Sequence, residues 1–207
     1  SATLPSQILE ISAKYLNKPV RISIKDNDVI EVNIKQQVVN LTPNDKHKEL
    51  VNQIFSRDGS ILIFVKTKYG AEKVAKRLEK DSIKATALHG GLRQNKRSRI
   101  MENFRTEKFR ILVATDIASR GLDIPHIEHI INFDLPQSPE DFIHRIGRTA
   151  RAGSIGEAVS FVTSNETKIW KSIERILKIS KDSKSNSAIS LNKRKKFKRK
   201  KFKRRKK

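Results

Sequence analysis

Ten residues, His144 to Gly153 ("HRIGRTARAG"), carry three arginines and a histidine with no acid among them. Arg145, Arg148 and Arg151 stand three apart. On a helix that spacing drifts slowly round one side, so the guanidinium groups can converge on a single anion, and their fork matches phosphate oxygens two at a time. A basic helix face that merely meets water has the same composition. Two other stretches offer complementary chemistry. In "HGGLRQNKR" (His89 to Arg97), Gly90 and Gly91 allow backbone N–H groups to approach a phosphate, and a helix starting near Arg93 turns its positive end to the same anion. Gln94 and Arg97 share one face of that helix. An ordinary strand-to-helix turn is the plainer reading of the glycines. In "TDIASRGLDI" (Thr115 to Ile124), Thr115 can give a hydroxyl to a phosphate and Asp116 can accept from a sugar hydroxyl. Gly121 permits a tight turn that Asp123 can hold, although aspartates that only cap a turn would look the same.

Such groups work only if something holds them. From Ile34 onward, strand and helix patterns alternate. Strands are predicted at 34–41, 61–65, 85–88, 110–114, 128–132 and 158–162, and helices at 46–56, 69–80, 93–105, 139–148 and 166–178. A further helix is predicted over 5–17 and a strand over 20–24. Short apolar runs such as "ILIFV" and "RILVA" suit strands buried on both faces, so the expected fold is α/β, a mostly parallel sheet sandwiched by helices. Ligands in such folds sit beyond the carboxyl ends of the strands, which points to the loops after Val65, Leu88, Ala114 and Asn132.

Composition narrows the partners. Net charge is +23, of which the segment from Lys181 to Lys207 supplies 15 basic residues against one acid, leaving +9 for the first 180 residues. A basic body with a cationic tail predicts a polyanionic partner, and nucleic acid before a membrane, because no apolar segment long enough to span one is seen. The tail, "NKRKKFKRKKFKRRKK", cannot bury a core and is expected to be disordered, holding its polyanionic partner through counterion release. The absence of cysteine excludes disulfides and thiolate metal sites, and the five histidines have no metal-ligand spacing. No secretory leader is read, so a cytoplasmic location is expected. The chain opens on "SATLP" with Met101 as its only methionine, and is read as a fragment.

In order and spacing, "SAT" (1–3), "ILIFVKTK" (61–68), "LHGGLRQNKR" (88–97), "ATDIASRGLDIP" (114–125) and "HRIGRTARAG" (144–153) resemble motifs III, IV, IVa, V and VI of the DEAD-box ATP-dependent RNA helicases. The whole run is similar to their bacterial RhlE-like branch, and the resemblance covers residues 1 to about 178. It implies a remnant of a first RecA-like domain at 1–24, a linker at 25–33, a C-terminal RecA-like domain at 34–180 and a basic tail at 181–207. Arg148 and Arg151 would be arginine fingers reaching a γ-phosphate held by the other domain, and His144 and Arg145 would relay between nucleotide and motif III, represented by Ser1 and Thr3. Asp116, Gly121 and Asp123 would serve the ATP side. Thr67, Gly90, Gly91, Gln94, Arg97 and Thr115 would meet RNA phosphates and 2′-hydroxyls. ATP with Mg²⁺ is the implied cofactor, bound mainly by the first RecA-like domain. RNA and that domain are the implied partners, with ribosomal or degradosome-type assemblies further candidates. No G-x-x-x-x-G-K-[ST] loop, Q motif or "DEAD" occurs in these residues, so this chain alone is expected to be inactive. Ala150 departs from a pattern in which many members have glycine. The alternative reading is a non-catalytic basic RNA-binding or annealing fragment.

Overall fold

In "ILIF" (61–64) and "ILVA" (111–114) every residue is buried, and their side chains alternate between two separate apolar layers. The structure, a computed structural model, describes residues 6–17, 34–119, 127–150 and 155–177. Its elements in chain order are α1 (Ser6–Tyr15), β1 (Ile34–Asn40), α2 (Lys46–Phe55), β2 (Ile61–Phe64), α3 (Lys68–Lys80), β3 (Ala85–Leu88) and α4 (Gln94–Arg105). There follow β4 (Ile111–Ala114), α5 (Asp116–Ser119), β5 (His129–Asn132), α6 (Pro139–Ile146), β6 (Gly156–Val162), a 3₁₀ turn (Ser164–Glu166) and α7 (167–177).

The six strands form one parallel sheet in the order β1-β6-β5-β2-β4-β3. Period-two alternation sends Ile61, Ile63 and Val65 to one face, where they meet Leu50 and Ile54 of α2 and Val74 and Leu78 of α3. Leu62 and Phe64 face the other way, toward Ile100 and Phe104 of α4, Phe142 and Ile146 of α6, and Ile173 of α7. The expected helix-covered parallel sheet is therefore what forms. Between β2 and β5 the chain leaves for β3 and β4 and returns across β2. This reversal gathers three loops at one end, since Phe64 pairs with both Ala114 and Asn132.

Helix starts follow from capping. Ser138 accepts from the Asp141 N–H, Pro139 occupies the first turn with Glu140 and Asp141, and His144 and Arg145 close the last. Thr67 does the same for α3 by accepting from the Gly70 N–H.

Three details depart from expectation. α5, a single turn, went unpredicted because four residues cannot show a helical period. β6 starts at Gly156, two residues earlier than its apolar run, because Gly156 and Glu157 pair with Ile34 and Lys35 of β1. α6 ends at Ile146, and residues 147–149 continue as turns whose N–H groups still reach Ile143, Arg145 and Ile146. The predicted strand at 20–24, the linker and the basic tail lie outside the described residues. Among those residues no helix is long and apolar enough to cross a membrane, and no group of three or more potential metal ligands is found.

Candidate functional site: a locked arginine beside a half-exposed one

The unpaired positive charge of "HRIGRTARAG" meets its counter-charge from elsewhere in the chain. Arg145 is 2% exposed, and its Nε and Nη2 donate to the two carboxylate oxygens of Asp116 at 2.6 and 2.8 Å. Its Nη1 donates to Asn132 Oδ1 at 3.1 Å and to the Asp134 carbonyl at 2.6 Å, while the guanidinium lies 4.7 Å from the Phe64 ring centroid. Asn132 is itself held by donating to Ser160 Oγ at 3.1 Å. One side chain of α6 thus ties together the ends of β2 and β5 and the first residue of α5. The forked Arg–carboxylate geometry is the strong form of such a contact. Arg145 therefore spends its donors inside the protein, and any effect on a ligand passes through the groups it holds.

Arg148 sits one turn further on. Its backbone N–H reaches the Arg145 carbonyl at 3.0 Å, and its partly exposed side chain lines a small concavity with Asp116, Ser119, Asp141, His144 and Arg145. Arg145 neutralises Asp116 there. Arg148, partly exposed, shares the concavity with the carboxylate of Asp141 and can present its guanidinium fork to an anion from solvent. The residues fit one side of a phosphate, and the described part of the chain has no glycine cradle to enclose a whole triphosphate. Arg151, Gly121, Asp123, Ser1 and Thr3 lie outside the described residues.

The second predicted group gathers on the other side of α5. Arg97 Nη2 donates to the Ala118 carbonyl at 3.4 Å. Ile117, 75% exposed, stands against Gly90, where an added Cβ would come 3.9 Å from its Cγ2. Gly90, Gly91 and Gln94 are exposed, and the first N–H groups of α4 have no intrahelical partner. Thr67 is exposed at the head of α3, and because its Oγ1 accepts from Gly70 at 2.9 Å, its hydroxyl hydrogen is left for a ligand. Thr115 is 8% exposed and underlies α5, accepting main-chain bonds from Ala118 and Ser119. The glycine pair has a use that the sequence reading did not include. His89, buried, accepts the Gly91 N–H at Nδ1 (3.2 Å), which places its proton on Nε2 to donate to Glu72 at 2.9 Å. That N–H is engaged within the loop.

Asn132, Asp134 and Phe64 were absent from the sequence-based set. A signal existed for one of them, since an amide ending the strand "HIIN" demands a buried polar partner.

A parallel sheet with helices on both faces, and a basic segment packed across the strand ends, define a three-layer α/β domain. Residues 45–153 match the model of the helicase conserved C-terminal domain. The chain is 38% identical over 180 residues to the ATP-dependent RNA helicase ddx23 of Dictyostelium discoideum, covering 86% of this chain and 22% of that protein. Among solved structures it resembles the Escherichia coli DEAD-box protein SrmB bound to RraA, with 31% identity, a TM-score of 0.64, and coverage of 69% of this chain and 85% of that one. It also resembles Saccharomyces cerevisiae Dbp5 L327V bound to RNA and ADP BeF3, with 30% identity, a TM-score of 0.75, and coverage of 84% and 47%. The chain belongs to the helicase C-terminal domain family, as the C-terminal RecA-like domain of a DEAD-box protein. It spans 22% to 45% of the length of the curated relatives compared.

Proposed function

We propose that this chain is the C-terminal half of an ATP-dependent RNA helicase of the bacterial RhlE-like branch, acting in the cytoplasm. The observation that carries the reading is α5. Its Asp116 is gripped by Arg145 of the basic segment, and its Ala118 and Ile117 touch Arg97 and the Gly90 loop. A single helical turn thus joins the arginine-rich side to the side read as RNA-facing. RNA pressed against Thr67, Gly90, Gln94 and Arg97 would bear on the seat of Arg145, and movement of Arg145 would bear on Arg148 one turn away.

In this reading Arg148 and Arg151 stabilise negative charge developing on a phosphoryl group presented by the first RecA-like domain, a role worth roughly 10³ to 10⁵ in rate in related phosphoryl-transfer systems. ATP with Mg²⁺ supplies the transferable phosphoryl group, held mainly by that domain. His144 lines the same concavity. Contacts to phosphates and 2′-hydroxyls make the RNA site indifferent to base identity, and the lysine-rich tail raises the local concentration of RNA. Closure of the two domains would bend one strand and melt a short duplex. Support comes from Dbp5, whose similar domain was solved with RNA and ADP BeF3.

The test is strand separation by the full-length protein on short RNA and DNA duplexes of equal stability, with and without ATP. ATP-dependent separation of RNA is expected. RNA binding without ATP-dependent separation would replace this reading with the non-catalytic binding fragment, and equal separation of DNA would remove the RNA assignment.

A further inference from the structure

Lys46, the first residue of α2, is buried to 8% exposure at the carboxyl end of β5, and neither the ATP-side nor the RNA-side reading uses it. Its ammonium donates to the Phe133 carbonyl at 2.7 Å and to Asp134 Oδ1 at 2.9 Å, and lies 3.3 Å from Glu166 Oε2, with the Phe133 ring centroid at 5.3 Å. All three of its hydrogens have a partner. Asp134 Oδ2 accepts the Lys66 N–H at 3.1 Å, and Glu166 Oε1 accepts the Leu135 N–H at 3.2 Å. Glu166 Oε2 also caps the turn after β6 by accepting from Thr163 N and Oγ1. Residues 133–135 are therefore held by Lys46 of α2 on one side and Glu166 of the 3₁₀ turn on the other, through the segment's own Asp134 carboxylate and main chain.

An ion triad of this kind, a buried lysine between two partly exposed carboxylates, rarely adds much net stability, because desolvating the ammonium offsets the attraction. Its effect here is geometric. Asp134 is the residue whose main-chain carbonyl accepts from Arg145 Nη1 at 2.6 Å, the shortest of that side chain's contacts alongside the one to Asp116. The Asp116 and Asn132 acceptors can adjust by side-chain rotation. A main-chain carbonyl moves only with its segment, and Lys46 holds that segment.

We propose that Lys46 is a positioning residue for Arg145, fixing the Asp134 carbonyl so that the guanidinium stays seated between β5 and α5 and the turn carrying Arg148 keeps its place. This rests on the proposed helicase function for its catalytic consequence, and on the hydrogen-bond chain for its structural one. Glu166, Lys46, Asp134, Arg145 and Asp116 then form one continuous line from the turn after β6 to α5.

The experiment uses the full-length protein with Lys46→Met, Lys46→Arg and Asp134→Asn. Asp134→Asn is isosteric, keeps the main-chain carbonyl and protects the test should Lys46→Met fold poorly. Hydrogen–deuterium exchange is read at peptides covering 144–150 and, separately, 133–135. Lys46→Met and Asp134→Asn are expected to speed exchange at 144–150 at least fivefold and to lower RNA-stimulated kcat about tenfold, with KM for ATP and RNA within twofold. Lys46→Arg should restore both to within threefold. In an Arg145→Lys background, Lys46→Met should change kcat less than twofold, since both changes act on one seat. Faster exchange confined to 133–135, with 144–150 and kcat unchanged, would overturn the proposal and leave Lys46 as a stabiliser of α2. Should the unmodified protein show no RNA-stimulated hydrolysis, the proposed function fails, and the exchange data still decide the role of Lys46.

Discussion

Arg145→Lys tests whether the buried guanidinium holds the strand ends together. Lysine keeps the charge but concentrates it at one point. A single ammonium cannot span both Asp116 oxygens, Asn132 Oδ1 and the Asp134 carbonyl, which Arg145 reaches with three nitrogens at 2.6 to 3.1 Å. At least one buried acceptor is left without a partner, which costs about 1–3 kcal/mol. Loss of the contact over Phe64, at 4.7 Å, adds about 0.5–1 kcal/mol. A destabilisation of about 3 kcal/mol follows, or roughly 6–12 °C in melting temperature at the 2–4 °C per kcal/mol usual for domains of this size. Urea unfolding should show a lower midpoint with an unchanged slope, the sign that stability rather than the extent of unfolding has altered. Arg99→Lys, on the exposed face of α4, serves as the control and should be neutral. A shift below about 1 kcal/mol for Arg145→Lys would refute the reasoning, because the short contacts would then contribute almost nothing beyond their desolvation cost.

Two other outcomes follow from the fold. Ala150 has φ 55°, a left-handed conformation that costs a non-glycine residue about 1–2 kcal/mol. Ala150→Gly relieves that strain and gives back part of it as unfolded-state entropy, so a net stabilisation of about 0.5–1 kcal/mol with function retained is expected in a thermal melt. His129, at the opposite end of the sheet, is held below the ordinary imidazole value of 6.5 chiefly by burial. The unfolded chain therefore binds more protons than the folded one just below pH 6.5, and stability should fall as pH drops through that window. Burial alone would raise Glu157, but the hydrogen bond from Lys35 and the charges of Lys35, Arg57 and His129 outweigh it and lower the carboxyl below 4.5. Its contribution is present above 4.5 and lost as pH falls further. His129→Gln should flatten the upper limb of the pH–stability curve and only reduce the acid limb below 4.5, because Lys35 and Arg57 remain beside Glu157.

The sheet was readable because strands buried on both faces leave uninterrupted apolar runs, as "ILIF" and "ILVA" do. The site was readable by segment and not by role. Spacing alone left Arg145, Arg148 and Arg151 equivalent, the family resemblance set Arg145 apart as a relay, and packing sends it inward to Asp116 while Arg148 lines the concavity. His89 had no role in the sequence reading, and its ring accepts the Gly91 N–H. Lys46 was not singled out in the helix predicted over 46–56, and its partners are carboxylates 88 and 120 residues away. Long-range electrostatic partners leave no periodic trace in a sequence, which is why these roles were hidden.

Under the proposed function, Arg148 in the turn after α6 acts across a domain cleft on a nucleotide held elsewhere. The most direct measurement is RNA-stimulated ATP hydrolysis by a mixture of this chain and a separately made first RecA-like domain, with Arg148→Ala as the comparison. Hydrolysis that needs both pieces and RNA, and falls by about three orders of magnitude or more in Arg148→Ala, is the predicted result. Full activity in Arg148→Ala, or no activity in a mixture that assembles on RNA, would contradict it.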